Sequence, residues 1–173
     1  MFKKLFDPGY KELVRCTKLA DKVLALEDEY RNLTDEALKH KTVEFKERYK
    51  NLGKNLYQFM LKYGYTSNPA PKVILNNSEQ ESDVLCYTGY FDPNRDAIVL
   101  FTRGRLVKDV LRTLAHELIH YKQRVDGVID KSGYTSDKIT EDKNLTRLEA
   151  EAYLKGNFAF REWTETLQKR LGK

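Results

Sequence analysis

The chain has 173 residues, 40% of them hydrophobic, which is enough for one compact core with an appendage and too little for two ordinary domains. Charged residues make up 33% of it, and the net charge of +5 is carried by Lys and Arg scattered among acids; no basic stripe suits a phosphate backbone, so nucleic acid is not an expected partner. No run approaches the ~18 apolar residues of a spanning helix, the first residues lack a signal peptide's apolar stretch, and Cys16 and Cys86 have no CxxC spacing, so a soluble cytoplasmic protein with reduced thiols is expected.

Residues 7–31 are predicted to form a helix. Asp7 can cap it, Pro8 suits its first turn, and Tyr10, Leu13, Val14, Thr17, Ala20 and Leu24 recur at three- and four-residue spacing. Thr34 caps a second helix, with Asp35 and Glu36 in the first turn and Leu38, Thr42, Phe45, Tyr49 and Leu52 along one side. The pair is expected to form a helical hairpin over residues 1–53 ending near Gly53, followed by a separate domain over 54–173. A short third helix at 56–63 precedes a loop marked by Gly64, Pro69 and Pro71.

The pattern then turns to strands at 72–76, 84–92 and 97–102, the last two flanking the turn-rich DPNRD as a hairpin. After Gly104 the helical period returns, and Val107, Val110, Leu111, Leu114, Ala115 and Leu118 make one apolar stripe on a helix running to about Arg124. Residues 125–143 look irregular. A final helix at 144–169 places Leu145, Leu148, Ala152, Gly156, Ala159 and Trp163 on one face. The fold class expected is α+β: a small antiparallel sheet beside two long helices, preceded by the helical hairpin.

The helix predicted over 107–124 contains AHELIH, an HExxH motif. Histidines at i and i+4 stack on one helix face, where both can reach one Zn²⁺ at about 2.0–2.1 Å. His116 lies two residues from both Leu114 and Leu118, about 200° round the helix, so His116 and His120 point away from the packed stripe. Glu117 is poorly placed as a ligand but can reach a metal-activated water and take its proton. With three histidines in the chain, two of them in this arrangement within an apolar helix favour a metal site over two surface imidazoles.

A catalytic zinc site has three protein ligands and an open position. His40 is one candidate for the third, set among Lys39 and Lys41 in the N-terminal segment. A downstream carboxylate is the other. Glu149 borders the buried stripe of the last helix, whereas Glu151 lies about 200° away and is expected to be solvated. A carboxylate on a buried face needs a partner, and zinc would supply it; pairing with Arg112 or Arg147 is the alternative.

RTLAHELIHYKQ followed by RLEAEAYLKGNFAF resembles the gluzincin group of zinc peptidases, in which HExxH is completed by a Glu on a later helix. The resemblance covers roughly residues 72–165 and is to small bacterial and phage proteins. It implies a zincin-like fold, zinc ligands at His116, His120 and Glu149, and a general base at Glu117. Several members carry Asp or Asn four residues after the ligand Glu; here Tyr153 stands there, and its hydroxyl could serve an oxyanion.

FDPGYKELVRCTKLADKVLALEDEYRNLTDEALKHKTVEFKERY, from residue 6 to 49, is similar to the extreme N-terminus of the preprotein translocase ATPase SecA. No GxxxxGK[ST] follows, so no ATPase activity is implied. The resemblance implies docking to translocase-related partners, or a helical prop for the domain that follows. The expectation is therefore a zinc peptidase acting on peptide or protein substrates, with residues 97–102 as the rim strand that pairs with extended substrate. The rival is a non-proteolytic zinc protein that binds the partners of the SecA N-terminus.

Overall fold

The computed structural model describes residues 8–78, 87–129, 143–170 and 172. Among them are four helices, α1 (Pro8–Arg31), α2 (Asp35–Lys62), α3 (Val107–Val125) and α4 (Lys143–Arg170), and three strands, β1 (Lys72–Asn76), β2 (Gly89–Asp92) and β3 (Ala97–Phe101). The protein is α+β, and its contacts divide it into two units, Met1–Arg48 and Tyr49–Lys173. No described helix is long and apolar enough to cross a membrane. Cys16 is an exposed free thiol, and Cys86 lies outside the described residues.

In the first unit, Thr34 caps α2 as expected, its Oγ1 accepting the Ala37 N–H at 3.2 Å. No described residue of this unit is buried, however, and Leu13, Leu19, Val23 and Leu24 all stand exposed. The helices are supported locally by pairs such as Glu12 with Arg15 and Glu27 with Arg31. The expected hairpin therefore lacks the sealed apolar seam that its sequence spacing suggested.

The expected break at Gly53 is also absent, and α2 runs through it to Lys62, absorbing the helix predicted at 56–63. A glycine inside a helix costs roughly 1 kcal/mol against alanine. Full burial of Leu56 and Met60 on the same helix outweighs that cost.

The sheet has the order β1-β3-β2. β2 and β3 form the predicted hairpin, with Gly89 opposite Leu100, but β1 runs parallel to β3, with Lys72 opposite Ala97. The sheet is mixed where an antiparallel one was expected, because side-chain alternation carries no information about strand direction. Of the strand expected at 84–92, residues 84–86 fall outside the described residues. β3 is central and paired on both edges, so it cannot be the rim strand that accepts a further chain. Its first four residues, Ala97 to Leu100, are buried without alternation, as a strand covered on both faces requires.

α3 lies against this sheet and against α4. Its stripe of Val110, Leu111, Leu114 and Leu118 joins Ile98 and Leu100 of β3, Phe91 of β2, Met60 of α2, and Ala159, Phe160 and Trp163 of α4 in one core. The helix ends at Val125, and two residues on the chain turns away at Gly127, whose φ of 74° suits glycine. Val128 N–H donates to Gln123 O and Gly127 N–H to Arg124 O, closing the last turn. Because Leu118 is buried and Leu24 exposed, Leu118→Ala should lower unfolding free energy by about 2–5 kcal/mol and Leu24→Ala by no more than about 0.5 kcal/mol in urea titrations.

Candidate metal centre

The face of α3 turned away from the leucines carries His116 and His120, whose Nε2 atoms are 3.1 Å apart. α4 brings Glu149 opposite them. Its Oε1 is 3.0 Å from His116 Nε2 and its Oε2 is 3.1 Å from His120 Nε2. Among the described residues these three form a group that could hold a metal ion; His40, in the first unit, is not part of it. A tetrahedral zinc ion about 2.0–2.1 Å from each ligand separates its ligands by about 3.3–3.4 Å. The cluster is a few tenths of an ångström tighter than that, so a small outward shift of the side chains admits the ion. Two imidazole nitrogens and one carboxylate also match a catalytic donor set with an open fourth position.

The helix spacing explains the pair of histidines, and a close helix contact explains Glu149. Ala152, Gly156 and Ala159 are the buried small residues of α4. A Cβ on Gly156 would lie 2.9 Å from His116 Cα and 3.0 Å from its N, so only glycine lets the two backbones approach this far. Glu149 is two turns before Gly156 on the same face and so is carried to the imidazoles. Hydrogen bonding to His116 is the first cause that holds its carboxyl well below the usual carboxylate range.

Glu117 lies beside the cluster and is buried. Loss of hydration pushes its pKa up to about 7; His116 opposes the shift, Glu149 adds to it, and a backbone hydrogen bond from Phe91 of β2 opposes it. His116, Glu149 and Glu117 open onto a cleft of about 480 Å³ that is also bordered by Thr88, Gly89, Arg112 and Asn157. Tyr153 lines the same cleft, exposed, with its ring edge-on to His116 at 5.5 Å between centroids.

The β2 side of the cleft is held close by a second glycine: a Cβ on Gly89 would lie 2.7 Å from Thr113 Cγ2. Arg105 pins the same region. Its guanidinium donates to Thr88 O at 2.7 Å, Phe101 O at 3.1 Å, Asp109 O at 3.1 Å and Thr113 Oγ1 at 2.9 Å. Nothing in the local pattern around Arg105 marks this role, because its partners come from three separate stretches of chain.

Gln123 also escaped the sequence reading, although it follows His120 by three residues and so shares its face. It is buried, and its side chain meets His120, Leu148 and Glu151. Glu151 is consequently half-buried, accepting from Gln123 and pairing with Lys155. The expectation of a solvated Glu151 fails because the end of α3 covers that side of α4, which periodicity within α4 alone could not reveal. Of the arginines considered for Glu149, Arg112 pairs with Asp109 and Arg147 donates to Asn144.

No family model matches the chain, and no solved structure matches it significantly.

The backbone contact at Gly156 leaves no room for a side chain, so Gly156→Ala should separate α4 from α3. Thermal unfolding should reveal a loss of about 1–3 kcal/mol from overpacking. Zinc competition with a chelating dye should reveal weaker binding, because Glu149 moves with α4.

Proposed function

We propose that this protein is a zinc-dependent peptidase of the zincin type, acting on extended peptide or protein chains. The observation that carries this reading is the convergence of His116 Nε2, His120 Nε2 and the Glu149 carboxylate at 3.0–3.1 Å from one another, with Glu117 buried beside them at the cleft. A Zn²⁺ ion held by these three side chains supplies Lewis-acid activation of water and of the scissile carbonyl.

Glu117 takes the proton of the attacking water and returns it to the leaving amine. Its raised pKa suits a group that must first accept a proton and then give it up. Tyr153, exposed at the cleft beside His116, offers a hydroxyl to the oxyanion of the tetrahedral intermediate.

Substrate register follows from β2, the edge strand of the described sheet that borders the cleft. Phe101 N–H donates to Thr88 O, so alternation along the antiparallel ladder turns the backbone groups of Gly89 and Phe91 away from β3. Phe91 N–H is already directed to Glu117. Gly89 N–H and C=O remain on the free side to pair with an extended peptide, which binds main chain without reading its sequence.

The double variant His116→Ala, His120→Ala should lose stoichiometric zinc on metal analysis. Glu117→Gln should keep zinc while cleavage of a diverse peptide library falls by about 100- to 10,000-fold. Zinc-loaded wild type that cleaves nothing would replace this reading with a non-proteolytic zinc protein that works by binding.

The exposed apolar side chains of α1 favour a docking role for the N-terminal segment, and its similarity to SecA points to translocase-related partners. Tyr49 and Leu52 pack on the core of the second unit, so the segment to remove ends at Arg48. A chain beginning at Tyr49 should hold zinc as well as the full chain does while losing translocase-related proteins in pull-downs. Equal recovery of partners by both chains would remove the docking role.

A further inference from the structure

We propose that Gln123 is a positioning residue that fixes the tautomer of His120, protonated at Nδ1, and thereby reserves the His120 Nε2 lone pair for a cation in the cluster. Taken alone, a glutamine amide can face either way, and a histidine can carry its proton on either nitrogen. Here the surroundings resolve both choices. Gln123 Nε2 is 3.0 Å from Leu148 O and 3.2 Å from Glu151 Oε2, and both of these oxygens are acceptors. The amide nitrogen must therefore face α4, which leaves Gln123 Oε1 against His120 Nδ1 at 2.9 Å. An amide oxygen accepts only, so His120 Nδ1 carries the hydrogen.

The consequence lies on the other side of the ring. In a neutral imidazole with Nδ1–H, Nε2 holds a lone pair, and this one is 3.1 Å from the Glu149 carboxylate and 3.1 Å from His116 Nε2. A lone pair facing a carboxylate at that distance is repelled unless a hydrogen or a positive charge lies between them, and a metal ion supplies that charge. The chain from Glu151 through Gln123 to His120 thus builds a cation site from outside it. Gln123 is buried, and Lys155 engages Glu151 at the outer end, so neither amide orientation nor ring rotation is left to solvent. The backbone contributes too, because Gln123 O accepts the Val128 N–H at 2.8 Å in the turn that ends α3.

The tautomer stands independently of catalysis; only the use of the lone pair rests on the zinc reading. The test is imidazole ¹H–¹⁵N correlation NMR on the full chain, without metal and with added zinc chloride, at about pH 8.5, above the ordinary imidazole range. His120 should be the Nδ1–H tautomer without metal, and zinc should perturb Nε2 alone. Nε2–H in the metal-free wild type would overturn the proposal. Nδ1–H with no response to zinc would support the tautomer and bring down the metal reading.

Gln123→Leu removes the acceptor at similar size, and should weaken zinc about 10- to 100-fold while both His120 tautomers appear. A folded Gln123→Leu protein with unchanged zinc affinity and an unchanged His120 tautomer would overturn the proposal.

Discussion

The second unit depends on the contact between two helix backbones at Gly156 and His116. Buried Ala152, Gly156 and Ala159 make the facing side of α4 almost free of side-chain bulk, and a Cβ at the middle position would overlap the α3 main chain. Helix pairs ordinarily stand about 8–10 Å apart according to the side chains between them, and a glycine contact lies at the close end of that range. Across this gap Glu149 reaches both imidazoles of α3. The apolar core adds to this contact, with Leu114 and Leu118 of α3 and Trp163 of α4 buried in one cluster.

Packing that tightly has an electrostatic consequence. α3 places a carboxylate, Glu117, between itself and the sheet where hydration is lost, and burial raises its pKa while Phe91 N–H partly compensates. One turn of helix thus offers lone pairs on one side and a proton carrier on the next. Arg105 ties the mouth of the cleft together by satisfying carbonyls before β2, at the end of β3 and at the start of α3. Its four donors replace what would otherwise be separate loop contacts, so the cleft wall and the helix that bears the histidines are held as one piece.

Residues 8–48 obey a different balance. Their helices are supported by capping and by exposed ion pairs that water and salt leave weak, and Leu13, Leu19, Val23 and Leu24 stay in contact with water. Helices in water gain most of their stability by burying an apolar face. The docking role proposed for this segment would supply that burial from a partner.

The sequence by itself determined the elements whose information is local. The period of the leucines placed α3 and α4, and the four-residue interval put His116 and His120 on one face. Strand positions 72–76 and the 92–96 turn were legible for the same reason. Only the tertiary structure decided what depends on two distant segments meeting: the parallel direction of β1, the passage of α2 through Gly53, the edge position of β2, the burial of Glu151, and the partners of Gln123 and Arg105. Hydrophobic periodicity reports which side of an element is buried. It carries no record of which neighbour buries it, and the chemistry of this cleft is set by the neighbours.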